Sequence, residues 1–289
     1  MNVNPLDIMQ PAIQVMQGGS SIYVEAYRLI RKMRGGSQAH LIEMVDGSSY
    51  IVKFTNNSQH PRTVINEWIA STVLHHLGIM TPDTAIVNVS AAFIRNNPDA
   101  YVELASSRTA PTRGSHFGSR FAPMSEKKAV YDFLPATLLD SVANLSDFCG
   151  VLVVDKWLGN TDSRQAVFTR VKDSNRKVSF VAQMIDNGCV FDGPNWRFLD
   201  SPLHGPYFGK VYRDVRGLDA FAPWLTTVSG FSEIVLEEAF QRMPYSWRNG
   251  STEAEFGVLL RRLMRRRERV GELITECRNQ PAKPFPNWS

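Results

Sequence analysis

Four short stretches of this sequence gather residue types that could handle a phosphorylated ligand. Gly35-Gly36-Ser37-Gln38-Ala39 lies between two runs that read as strands. Adjacent glycines let backbone N–H groups turn toward a phosphate with no Cβ in the way. The same pair also makes an ordinary hairpin turn. Lys53 stands in the otherwise apolar run Tyr50-Ile51-Val52-Lys53-Phe54, and Glu67 lies on the helix that follows. Separately, a strand lysine is usually solvated and a helical glutamate is unremarkable. Joined behind a Gly-rich turn, they can hold the α- and β-phosphates of a nucleotide. Gly159-Asn160-Thr161-Asp162-Ser163-Arg164-Gln165 follows an apolar helix and precedes a strand. It is either a helix stop with an Asx-turn or a working loop. In the second case Asp162 is a base or hydroxyl-positioning group, and Gln165 or Asn160 is a metal ligand. In Met184-Ile185-Asp186-Asn187-Gly188, an Asp leaves the end of an apolar strand. That is a common turn, or a carboxylate placed to hold Mg²⁺. The order of these stretches along the chain points to phosphoryl transfer.

The elements that must position them can be read from hydrophobic pattern and turn residues. Alternation in Ser21 to Tyr27 reads as a strand that runs toward Gly35-Gly36. His40 to Val45 and Tyr50 to Phe54 flank Asp46-Gly47, a strong hairpin signal. Ile65, Trp68, Ile69, Val73 and Leu77 share one face of a helix expected over Thr63–Leu77, with Gly78 as its stop. A strand over Thr84–Val89 follows. Residues 105–124, rich in Ser, Arg, Gly, Thr and Pro, read as a long loop. Residues 136–158 read as buried helix. Val167-Phe168 and Val178–Ile185 read as two short strands around Lys172-Asp173-Ser174-Asn175, and the chain from about Leu218 reads as helical. Strands, helix, strands, then a helical half is an α+β order with two lobes.

Composition sets the outer bounds. The chain has 289 residues, 43% hydrophobic and 21% charged, so it can bury a core without disulfide staples. Cys149, Cys189 and Cys277 are far apart, which argues against a disulfide framework or a Cys/His zinc site and favours a reducing cytoplasm. The apolar run Val151–Val154 is far short of the roughly 20 residues that span a bilayer. Met1 to Gly19 has no Lys or Arg and no apolar h-region, so no signal or transit peptide is expected there. The net charge of +4 is local. Arg261 to Arg269 holds six arginines and one glutamate, a net of +5, so the rest carries −1. Nucleic-acid binding is therefore not expected except through that run.

Across these motifs the chain resembles the HipA-like kinases, relatives of the bacterial HipA toxin kinases and more distantly of the phosphatidylinositol kinases. The likeness is carried by Gly36 to Ile42, Tyr50 to Phe54, Ile65-Asn66-Glu67-Trp68 running into Leu77 to Asp83, Asp155 to Gln165, and Ile185 to Gly188. It spans roughly residues 25–275. The resemblance implies a two-lobed protein-kinase-like fold binding ATP and Mg²⁺, with a small β-rich N-lobe carrying one helix and a larger, mostly helical C-lobe. The expected boundaries are an N-terminal extension at 1–19, the N-lobe at 20–124, the C-lobe at 125–280 and a flexible tail at 281–289. Gly35, Gly36, Ser37, Gln38 and Lys53 would bind nucleotide, with Glu67 bracing Lys53. Asp162 would orient or deprotonate an acceptor hydroxyl, and Asp186 would bind metal. The family's second metal-binding Asn falls at Val167, which cannot coordinate, leaving Gln165 as the substitute. Ser37 lies in the loop where HipA-like kinases autophosphorylate. The chain is too short for the extra N-terminal subdomain of full-length HipA toxins, so either a separate antitoxin-like or subdomain-like partner supplies it or this branch does without.

The resemblance implies a Ser/Thr hydroxyl of a protein as acceptor. Rival readings are a kinase of a lipid head group or small metabolite, a nucleotide-binding pseudokinase, and a basic RNA-binding protein. The adenine-contacting hinge is expected between Ser115 and Pro135. One helix is expected over Glu253–Cys277 with the arginines on its solvated faces. His116 reads as a solvated loop histidine, and Pro281–Ser289 as disordered.

Overall fold

The computed structural model describes residues 22–104, 107–121, 129–172, 178–207 and 210–288. The expected 1–19 extension, the boundary at 124/125 and the turn at 173–175 lie outside these. Five strands close a barrel: β1 (Tyr23–Lys32), β2 (His40–Met44), β3 (Ser49–Lys53), β4 (Thr84–Val89) and a later strand over Gly114–Arg120. The Asp46-Gly47 hairpin sets β2 against β3 with Ile42 opposite Tyr50. β1 closes the ring by pairing in parallel with β4. Ile42, Met44, Val52, Phe54, Ala85 and Val87 fill the interior.

Between β3 and β4 runs α1 (Arg62–His76), buried along most of its length. A short helix α2 (Ala91–Asn96) and a hairpin of β5 (Val102–Leu104) with β6 (Ser107–Thr109) precede the fifth barrel strand, β7 (Gly114–Arg120). The loop expected over 105–124 is therefore corrected within the described residues. β7 pairs with both β3 and β4. Its poor strand composition is outweighed by two partners that satisfy its backbone.

β8 (Val130–Tyr131), β9 (Gln165–Lys172) and β10 (Val178–Ile185) form a second antiparallel sheet. Before it, the helical stretch expected over 136–158 divides into a 3-10 turn at Ala136–Ser141 and α3 (Asp147–Leu158). Helices α4 (Ala222–Ser229), α5 (Glu233–Gln241), α6 (Gly250–Arg266) and α7 (Val270–Cys277) complete the chain. They share one large core with α1 and α3. The single C-terminal helix is interrupted by a 3-10 turn at Arg267–Arg269. The expected flexible tail is packed instead. Phe285 is buried, Trp288 lies 5.2 Å from it by ring centroids, and Asn287 Nδ2 donates to Arg213 O at 2.6 Å. No helix among the described residues is long and apolar enough to cross a membrane.

Candidate active site

Strand β3 ends at Lys53, which leaves the barrel buried rather than solvated. Its Nζ pairs with Glu67 Oε1 from α1 and, at 2.7 Å, with Asp186 Oδ1 from the end of β10. Burial pulls the Lys53 pKa down, but the two carboxylates outweigh it and leave it raised. Burial likewise pushes Asp186 up, yet Lys53, Arg164 and the Gln165 amide hold its pKa below the usual value. Gln165 Nε2 donates to Asp186 Oδ2 at 3.0 Å. Three distant stretches of the sequence thus meet in one hydrogen-bonded cluster.

Asp186 has φ +61, in the left-handed region that Asp tolerates better than most residues. The backbone turns there, and Asn187 N donates to Glu67 Oε1 at 3.0 Å. Beside Glu67, Asn66 is fully buried. Its Nδ2 donates to Gly188 O at 2.9 Å, Val190 O at 3.0 Å and Gly193 O at 2.9 Å. Its Oδ1 accepts from Trp196 Nε1 at 2.9 Å. Helix α1 is thereby fastened to the loop that carries Asp186.

The loop that carries Asp162 starts where α3 stops. Gly159 has φ +62, and a Cβ there would stand 2.8 Å from Phe198 Cδ1, so glycine fits on both counts. Asn160 Nδ2 donates to Asp155 Oδ1 at 3.0 Å, and its Oδ1 accepts from Asp162 N at 3.1 Å. That commits Asn160 to holding the loop, so Gln165 is the amide that faces Asp186. Asp162 is exposed, with Ser163 N donating to its Oδ1 at 2.7 Å. Among the described residues its Oδ2 has no such donor. Asp162 lies within electrostatic reach of Cys189. Burial first, and then Asp162 and Asp186, push that thiol up to about 11.

Beneath both loops is an ion pair whose roles the sequence reading left unassigned. Asp155 and Arg164 are fully buried partners. Arg164 Nη1 also donates to Ile185 O at 2.9 Å and Asn187 Oδ1 at 2.8 Å. The available signal was a charged residue inside the apolar helix and an arginine in the loop after it. His116 corrects its expectation. It is buried on β7, where Nδ1 accepts from Thr55 N at 3.0 Å and Nε2 donates to Thr112 O at 2.8 Å.

The Gly-rich turn joins β1 to β2, with Gly35 at φ +117 and Gln38 at φ +47. Gln38 is held by β5: its Nε2 donates to Glu103 O at 2.7 Å, and its Oε1 accepts from Glu103 N at 2.6 Å. Among the described residues no hydrogen bond links Gly35–Gln38 to Lys53, Glu67, Asp162 or Asp186. Ser37 is half-buried in this turn. Of the expected hinge region, residues 115–120 belong to β7.

A sequence model described as HipA-like kinase matches residues 27–176. No curated protein matches the sequence. Among solved structures, the chain is similar to hydra Fam20 with sugar. The identity is 12% and the TM-score 0.53, over 96% of this chain and 91% of that one. It is also similar to the Helicobacter pylori proinflammatory kinase CtkA. Here the identity is 14% and the TM-score 0.52, over 90% of this chain and 99% of that one. These two likenesses establish a shared kinase-like fold. With the family match over more than half its length, the chain belongs to the HipA-like kinase family, whose membership implies ATP and a divalent metal as cofactors of a phosphotransferase.

Proposed function

We propose that the protein transfers the γ-phosphate of ATP to a Ser or Thr hydroxyl of a protein, using Mg²⁺, with the barrel and α1 acting as an N-lobe over a helical C-lobe. The observation that carries this is the cluster of Lys53, Glu67, Asp186 and Gln165, with Asp162 on the adjoining loop. The donor set fits a hard cation. Asp186 offers carboxylate oxygens and Gln165 an amide oxygen, and no group of three or more His, Cys, Asp or Glu side chains gathers among the described residues. Such a sparse set suits Mg²⁺, which takes most of its ligands from phosphates and water. When bound, the metal would offset charge on the transferring phosphoryl group.

The side chains divide the remaining work. Lys53 would exchange Asp186 for phosphate oxygens, with Glu67 keeping its ammonium aimed. That exchange frees Asp186 Oδ1 for the cation, and rotation of the Gln165 amide would present its oxygen. Asp162, with one oxygen held by Ser163 N, keeps the other to accept and orient the acceptor hydroxyl. Ser37, in the Gly-rich turn, is the proposed autophosphorylation site. Peptide mapping after incubation with Mg-ATP should find phosphate there, and phosphate only elsewhere, or none, removes that part.

A pseudokinase reading draws on Val167, where a second metal-binding Asn is expected. ADP release in Asp162→Ala separates the two. The kinase reading predicts a rate loss of about 100-fold or more, while Mg-ATP still raises Tm. Wild type with a Tm shift and no turnover would favour the pseudokinase.

A further inference from the structure

The six arginines between Arg261 and Arg269 do not share one task. Arg266 is buried, donates from Nε to Lys156 O at 3.0 Å and pairs with Asp200. Arg267 donates to Phe231 O at 3.0 Å. Arg269 reaches Asp200 Oδ2 at 3.3 Å and Glu272 Oε2 at 3.3 Å. Arg262 and Arg265 are exposed and have no acidic partner among the described residues.

Arg262, Arg265, Arg266 and Arg269 line a cavity of about 350 Å³ with Phe198 and Asp200. The Phe198 ring forms an aromatic wall, its centroid 4.8 Å from the Arg266 guanidinium and 5.5 Å from that of Arg262. Four guanidinium groups line the cavity with one carboxylate, Asp200, and only Arg269 has a second, Glu272, outside that lining. Like charges four residues apart on a helix repel, here Arg262 with Arg266. A concave site with unspent positive charge favours an anion. Guanidinium forks match the oxygens of a phosphate, whose dianion can satisfy both arginines that lack an acidic partner.

We propose that this pocket binds a phosphomonoester group, carried on a phosphorylated Ser or Thr of a protein segment. At about 350 Å³ the cavity has room for a phosphate together with the side chain that carries it, and the chain's surplus of positive charge is confined to this run, the rest carrying −1. Exposure of Arg262, Arg265 and Arg269 leaves the site reachable by a side chain on a passing peptide. The segment from Phe198 to Gly205 joins the pocket to the Asp162 loop. Phe198 packs on Gly159, and Gly205 N donates to Asp162 O at 3.2 Å. The proposal does not rest on the phosphotransfer reading, because its test reads binding alone.

Isothermal titration of the nucleotide-free protein at one fixed salt concentration tests it. The probes are a capped phosphoserine peptide, its unphosphorylated counterpart, free O-phosphoserine and a single-stranded oligonucleotide. Only the phosphorylated probes should bind, the peptide more tightly. Arg262→Gln with Arg265→Gln should weaken them about tenfold or more without lowering Tm. Should that variant unfold, Arg265→Lys, which keeps charge but loses the fork, should still weaken binding. Equal affinity for peptide and free O-phosphoserine supports the phosphomonoester site and overturns its protein-borne source. No binding of any phosphorylated probe, unchanged binding in these variants, or tighter oligonucleotide binding through the same arginines overturns the proposal.

Discussion

Lys53 stays charged in a buried position because Glu67 and Asp186 flank it. Its pKa is raised, so its share of stability is complete below the ordinary lysine value and is lost as pH rises through the raised one. Asp186 is depressed, so its share is present above the ordinary carboxylate value and is lost as pH falls through the depressed one. Lys53 and Asp186 therefore stay charged throughout the neutral range. His40 and His116 behave differently. Burial lowers each to about 4, and Lys32 adds to the effect at His40. In the folded barrel they stay neutral while the unfolded chain takes up protons. Stability should be full above about pH 6.5 and decline as pH falls toward 4, by about 2 kcal/mol per histidine between pH 7 and 5. Urea denaturation of wild type and His116→Gln at the two pH values checks this. The variant should lose less than wild type, and parallel losses would contradict the assignment.

Among the elements, α1 bears most directly on the site. Asn66 fixes it to the Asp186 loop through four hydrogen bonds. Asn66→Ala leaves three carbonyls and the Trp196 N–H short of a partner, which should cost about 3 kcal/mol or more. A urea midpoint that falls at unchanged slope would confirm the loss, and an unmoved midpoint would refute the tether. Asp46-Gly47, the α1 stripe and the strand-end Asp186 were legible because turn chemistry and periodicity are local. β7 was not, since Gly114, Ser115, Gly118 and Ser119 carry little strand propensity and the strand exists through its neighbours β3 and β4. The Asp155–Arg164 pair was similarly hidden, because its meaning depends on Ile185 at the end of β10 and Asn187 in the loop after it. The break at Arg267–Arg269 has no Gly or Pro to announce it. There, Arg266 and Arg267 are drawn to Lys156 O and Phe231 O.

Over the whole molecule, a barrel with its own core meets a larger core shared by α1, α3 and the C-terminal helices. Lys53 comes from the barrel, Glu67 from α1, and Asp162, Gln165 and Asp186 from segments around the second sheet. Site geometry thus depends on all of these at once. The most direct test of the central claim is transfer of γ-phosphate from labelled ATP with Mg²⁺, comparing wild type with Asp162→Asn and Asp186→Asn. Wild type should place label on a protein acceptor or on itself, and each variant should fall by about 100-fold or more. Transfer that persists in Asp186→Asn and Asp162→Asn, or is absent from wild type under several divalent metals, would contradict the account.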